Sequence, residues 1–180
     1  MTAQHFLVPT DFSADADYAL EYAMTLAGPL QARLTLLHVI EPLVVGSVES
    51  QPYLFIQELE DKITQAMAPY HARVIAAGLA CDYSIVHGLP FQVIIETASA
   101  AHVDLIIMGT HGRTGLRHVL LGSVAERVVR LAPCPVLVAR LPTDICDRPS
   151  LASQTPTLPR SASGVPRPCK TRQRAPSRRN

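Results

Sequence analysis

Four consecutive apolar residues, Leu105-Ile106-Ile107-Met108, are followed at once by Gly109. A run this short and this branched fits a strand buried on both faces, as strands of parallel sheets are. Gly109 ends the run. The segment beyond it carries Gly112, Gly115 and Gly122 together with His111, Arg113, Arg117 and His118. Ser123, with Glu126 three positions on, reads as a capping box opening a helix. A strand therefore feeds a glycine-rich basic loop, and the loop feeds a helix N-terminus. Such an end offers backbone N–H groups with no partner inside the helix and about half a positive charge from the aligned peptide dipoles. Glycines let backbone amides come close to an oxyanion. The segment suits a phosphate; on the alternative reading the glycines only permit a tight turn and Ser123 only caps.

The remainder of the chain repeats the same strand–helix alternation. Phe6 to Pro9 is a short strand ended by a proline, which cannot donate to a ladder. Thr10-Asp11-Phe12-Ser13 forms a turn in which Ser13 is a good N-cap, and Asp15 and Asp17 fall in the first helical turn, where carboxylates complement the dipole. Ala16, Ala19, Leu20, Ala23, Met24 and Ala27 share one apolar helix face, and Gly28-Pro29 should stop the helix. Leu34 to Ile40 is a second strand, followed by a connection from Glu41 to Pro52 that reads as mobile. A long helix follows with Phe55, Leu59, Ile63, Ala66, Tyr70 and Val74 in phase, and Pro69 should kink or divide it. Cys81 to Val86 is a third strand. Pro90 opens a helix that buries Phe91, Ile94, Ile95 and Ala98. The capped helix after Gly122 should bury Val124, Ala125, Val128 and Leu131, and Val136 to Ala139 is the fifth strand. Strands alternating with helices make parallel crossover units, hence an α/β fold with a doubly wound sheet.

Charge divides the chain near Arg140. Residues 1–140 hold 8 Lys and Arg against 13 Asp and Glu, whereas residues 141–180 hold 8 against 2. A near-neutral total thus combines an acidic domain, residues 1–140, with a basic tail, residues 141–180. The tail has seven prolines, many Ser and Arg, and no aromatic residue, so it is expected to be disordered. Its contact with nucleic acid is not expected. No Cys or His pair has zinc-ligand spacing, and no apolar run approaches the ~20 residues that span a bilayer. Met1 to His5 leads straight into a strand, with no charged-then-apolar leader, so a cytoplasmic location without membrane contact is expected.

The spacing Gly109-x2-Gly112-x9-Gly122-Ser123 resembles the nucleotide-binding motif of the ATP-binding branch of the universal stress protein family. The P-loop pattern G-x4-G-K-[ST] is absent. Pro9-Thr10-Asp11-Phe12-Ser13 and Cys134-Pro135-Val136-Leu137-Val138 resemble the family's opening and closing strands, in the right order. The resemblance covers about residues 4 to 140. It implies a Rossmann-like five-stranded sheet of order 3-2-1-4-5 with helices on both faces. That order places the switch point between strands 1 and 4, where open α/β sheets bind ligands. It also implies a site for ATP with Mg²⁺: Pro9, Thr10, Asp11, Val39 through its backbone, Met108, Gly109, His111, Gly112, Arg113, Gly122, Ser123 and Val124, with Asp11 facing the ribose or the ATP-bound metal. A homodimer pairing through residues 135–139 is implied as well. The resemblance suggests a stress-response nucleotide-binding protein without a strong catalytic role. Slow ATP hydrolysis or nucleotidyl transfer, and an interaction module in which ATP is structural, remain the alternatives.

Overall fold

A computed structural model of the chain describes residues 4–42, 52–112 and 121–141. They all belong to one unit, residues 1–143. The tail expected to be disordered lies, beyond Leu141, outside them, as do most of the connection after Glu41 and the loop residues 113–120.

Among the described residues nine elements alternate: β1 (His5–Pro9), α1 (Ala14–Leu30), β2 (Arg33–Ile40), α2 (Pro52–Ala76), β3 (Cys81–His87), α3 (Pro90–Ala100), β4 (Leu105–Gly109), α4 (Ser123–Leu131) and β5 (Val136–Ala139). The strands form one parallel sheet of order β3-β2-β1-β4-β5. The alternation of side chains along each strand gives that sheet two buried faces. Phe6, Val8, Leu34 and Leu36 pack with Leu20 and Ala23 of α1 and Met67 and Val74 of α2. Leu7, Leu37, Ile106 and Met108 pack with Val93 and Ile94 of α3 and Val128 of α4. Each of the larger of these buried side chains contributes about 1.5–3 kcal/mol, so the two faces together lock the register.

Several local expectations are corrected. Pro69 neither ends nor divides α2, which runs unbroken from Pro52 to Ala76; Pro69 is exposed, so the carbonyl it leaves without a donor is on the side of the helix that meets water. Pro29 sits inside the last turn of α1, and the helix ends at Gln31 in the left-handed conformation. On α3 the buried face contains Val93 rather than Ile95. Leu131 is 58% exposed at the end of α4 instead of joining Val128 in the core. The capping-box reading of Ser123 is also wrong by one residue: Gly122 is the N-cap, and Ser123 is the first residue inside α4.

One feature of the sheet positions the site. The β1–β2 ladder runs to Pro9 beside Leu37, and the β4–β5 ladder runs to Gly109 beside Ala139. The β1–β4 ladder stops earlier, at Leu7 beside Ile106. Thr10 donates to Leu37 O at 2.8 Å, so Val8 and Thr10 face β2 and Pro9 faces β4. Proline has no N–H to give to β4, and the two strands part there. The sheet therefore opens at the carboxyl ends of β1 and β4.

Candidate functional site

A cavity of about 540 Å³ occupies this opening. Pro9, Thr10 and Asp11 line it from the end of β1, and Val39 from the end of β2. Met108, Gly109, His111 and Gly112 line it from β4 and its exit, and Gly122, Ser123 and Val124 from the start of α4. Eleven of the twelve residues expected from the sequence thus surround one space; the twelfth, Arg113, lies outside the described residues. Leu59, Ile63, Pro90 and Ile94 add an apolar wall, and Glu41 a carboxylate. The volume lies within the range usual for sites that take a small organic ligand.

The α4 end supplies hydrogen-bond donors. Gly122 N–H is already given to Thr110 O at 2.8 Å, and Gly122 O accepts the first helical bond, from Glu126 N–H at 2.9 Å. Gly122, being glycine, has no side chain with which to cap the helix. The N–H groups of Ser123, Val124 and Ala125 are therefore the ones the helix cannot satisfy, and all three residues line the cavity. Their shared direction and the dipole make this end a seat for an anion.

The three glycines of the motif play different parts. At Gly109 a Cβ would stand 2.8 Å from the backbone carbonyl carbon of Asp15, so this glycine lets the first turn of α1 lie against β4. At Gly112 a Cβ would stand 2.7 Å from Asp11 Oδ2, and at Gly122 3.0 Å from Thr110 O. All three also line the cavity.

Asp15 is the residue that sequence reasoning missed. It was placed in the first turn of α1 merely as a complement to the dipole. Its Oδ2 accepts from Thr110 Oγ1 at 3.0 Å and from His111 N–H at 3.1 Å, and His111 Nδ1 lies 3.3 Å away. These bonds tie the exit of β4 to the start of α1. His111, read as a possible ligand contact, spends its ring on this anchor with Asp15 and Thr110 while still bordering the cavity. The sequence offered no signal for the pairing, because the partners stand 96 positions apart.

Asp11 turns its Oδ1 to accept Ser13 N–H at 3.0 Å, and Ser13 Oγ accepts Ala16 N–H at 3.3 Å as the cap of α1. The Oδ2 edge of Asp11 points toward Gly112. At β2, Leu37 O faces β1 and Ile40 O faces β3, where it accepts Gly88 N–H at 3.0 Å. By that alternation the N–H and C=O of Val39 face the β1 side, beyond the last paired residue of β1. His38 is buried beside it, with Nδ1 2.7 Å from Thr10 O. His87 ends β3 and pairs at its surface with Glu60. Among the described residues no group of three His, Cys, Asp or Glu is arranged to hold a metal ion.

A doubly wound sheet that opens at its switch point onto an uncapped helix start defines a protein of the open α/β ligand-binding class. The sequence pattern of the universal stress protein family matches residues 2–140. Universal stress protein MJ0577 of Methanocaldococcus jannaschii is 33% identical over 150 residues, covering 74% of this chain and 93% of that one. Its solved structure superposes with a TM-score of 0.68 at 34% identity, covering 80% of this chain and 100% of that one. UspA from Lactobacillus plantarum gives a TM-score of 0.70 at 28% identity, covering 78% and 99%. A universal stress protein in complex with cAMP gives 0.60 at 24% identity, covering 78% and 98%, a likeness that concerns the fold alone. The chain belongs to the universal stress protein family.

Proposed function

We propose that this chain binds ATP in the cavity between β1 and β4, as a regulatory nucleotide-binding protein of the stress response. The observation that carries the reading is the α4 start: Ser123, Val124 and Ala125, whose N–H groups have no partner inside the helix, line the cavity. They suit the phosphates. The apolar wall of Leu59, Ile63, Pro90 and Ile94 suits a base, and the backbone of Val39 offers a donor and an acceptor side by side for its edge. Asp11 lies between these two ends of the site, in reach of a ribose hydroxyl or of a cation carried by the phosphates. Its single carboxylate fits Mg²⁺ that arrives with ATP, since such ions keep several waters and take most remaining ligands from phosphate.

Binding in this reading rests on backbone donors, with no lysine or arginine among the described lining residues. The test is to denature the purified protein and identify the released nucleotide by mass and ultraviolet spectrum. Release of an adenine nucleotide supports the reading. A protein that carries none and binds none when ATP is added contradicts it.

The same reading places the protein in the cytoplasm as a homodimer. Cys81 and Cys134 are free thiols, as suits a reducing compartment. No helix among the described residues is long and apolar enough to cross a membrane. β5 is an edge strand with Val136, Leu137 and Val138 only half-buried, and Leu131 and Leu141 on either side of it in sequence are exposed. An apolar edge of this kind is covered economically by the same strand of a second copy. Sedimentation at tens of micromolar should show a dimer; a monomer contradicts the pairing.

A further inference from the structure

We infer that His38, with Thr10 and Phe12, is a positioning residue that ends the β1–β2 ladder one step early and so keeps the backbone N–H and C=O of Val39 open to a ligand. The inference deepens the proposed nucleotide reading and rests on it for the ligand, though not for the backbone geometry.

The register defines what the next step of the ladder would be. Leu37 pairs beside Pro9, with Thr10 N–H donating to Leu37 O. One repeat further, Val39 N–H would donate to Thr10 O, and Phe12 N–H would donate to Val39 O. Both of those β1-side groups are taken by something else. Thr10 O lies 2.7 Å from His38 Nδ1; a carbonyl oxygen only accepts, so Nδ1 carries the proton of this bond. Phe12 N–H is given to Thr10 Oγ1 at 3.1 Å. The two side chains thus stand in for Val39 on both counts.

Phe12 makes the diversion complete. Its φ is 64°, in the left-handed region that a bulky side chain rarely adopts. That conformation turns the chain away from β2 and toward α1. The cost is met by packing: the Phe12 ring stacks on His38 at 4.6 Å and meets Tyr70 of α2 edge-on at 5.5 Å. The histidine that occupies Thr10 O is therefore held in place by the residue whose strain ends the strand.

The result is a single residue, Val39, presenting a donor and an acceptor at the mouth of the cavity. That pair fits the edge of a base carrying an acceptor beside an amino group, as adenine does. His38 acts by occupying Thr10 O.

Amide hydrogen exchange followed by NMR tests this without any ligand. In the nucleotide-free protein the Val39 amide should exchange fast, while those of Leu37 and Ile40 are protected. In His38→Leu, Thr10 O is released to Val39 N–H, and the Val39 amide should become protected. In His38→Asn, whose side-chain amide can stand where Nδ1 does, it should stay open. Thr10→Val frees Phe12 N–H instead and gives a second variant should the first fail to fold. ATP affinity should fall about tenfold in His38→Leu, the worth of one or two hydrogen bonds, with affinity for inorganic triphosphate unchanged and with recovery in His38→Asn. A Val39 amide as protected in the parent as its neighbours overturns the inference, whether or not ATP binds. An open Val39 amide in a protein that binds no nucleotide leaves the backbone device intact and overturns the proposed function instead.

Discussion

The carboxylate of Asp15, in the first turn of α1, accepts the backbone N–H of His111, at the exit of β4, at 3.1 Å. This bond joins the two segments that border the cavity on its β1 and β4 sides. The same oxygen takes Thr110 Oγ1, so a single carboxylate fixes the direction in which the chain leaves the sheet.

Asp15→Ala should therefore loosen the loop from within. It strands the Thr110 hydroxyl and the His111 amide, at a cost of about 1–3 kcal/mol in unfolding free energy. ATP affinity should fall severalfold, because the loop no longer leads reliably to the α4 start. Asp15→Asn keeps an acceptor and should cost less on both counts. Urea unfolding and calorimetric titration of the two variants give the ranking; equal effects would mean that the hydrogen bonds are not what matters.

Two glycines should respond to alanine with opposite signs. Gly109→Ala drives a methyl into the backbone of Asp15, which α1 cannot yield without moving off the sheet, and should destabilise by about 1–3 kcal/mol. At Gly28, inside α1, a Cβ meets nothing within 4 Å, and the helix gains about 0.5–1 kcal/mol from the lost chain entropy. Thermal melting of each variant reads the difference directly.

His5 gives a pH dependence remote from the cavity. It is buried at the start of β1, with Nε2 2.7 Å from Thr35 Oγ1 and the Arg33 guanidinium 3.0 Å from Nδ1. Burial, reinforced by Arg33, lowers its pKa below 6.5, although the Ala101 carbonyl, Asp104 and Asp82 pull the other way. The unfolded chain takes up this proton at higher pH than the fold does, so acid favours unfolding. Stability should be level above about pH 7 and fall as pH drops through about 6.5, by at most ~1.4 kcal/mol per unit. His5→Gln, which keeps a donor for Thr35, should flatten that part of the curve. An unchanged slope would assign it to other groups.

Much of this fold is written in local pattern. The apolar runs of β1, β2 and β4 and the alanine-rich face of α1 set the elements, and the missing N–H of Pro9, evident from sequence, is what opens the sheet. The strand order came from resemblance, because alternation alone does not choose among parallel arrangements. What escaped was long-range. Ser-x-x-Glu fits a serine at the cap or one residue inside it, and only the bond from Glu126 N–H to Gly122 O decides for the second. Gly109 looked like a phosphate glycine, yet its constraint comes from α1, which approaches from the far end of the sequence. Met67, between the expected apolar positions of α2, is fully buried, in phase with Ile63 four residues before it and Tyr70 three after.

The measurement closest to the central claim is calorimetric titration of ATP into the parent, His111→Ala and Gly122→Val, each first shown by melting to be folded. Gly122 lines the cavity as the cap of α4, and its Cβ position lies 3.0 Å from Thr110 O, the acceptor of its own N–H. A β-branched side chain there crowds that carbonyl and stands beside the N–H groups of Ser123 and Val124. His111 offers the ligand at most one charge-assisted hydrogen bond, about 1.5–3 kcal/mol, and less because its ring is committed to Asp15 and Thr110. The account predicts one ATP per parent chain, a loss well beyond tenfold in Gly122→Val, and a smaller loss in His111→Ala. A folded Gly122→Val protein that binds ATP like the parent would contradict it, because the phosphates would then not be held at the start of α4.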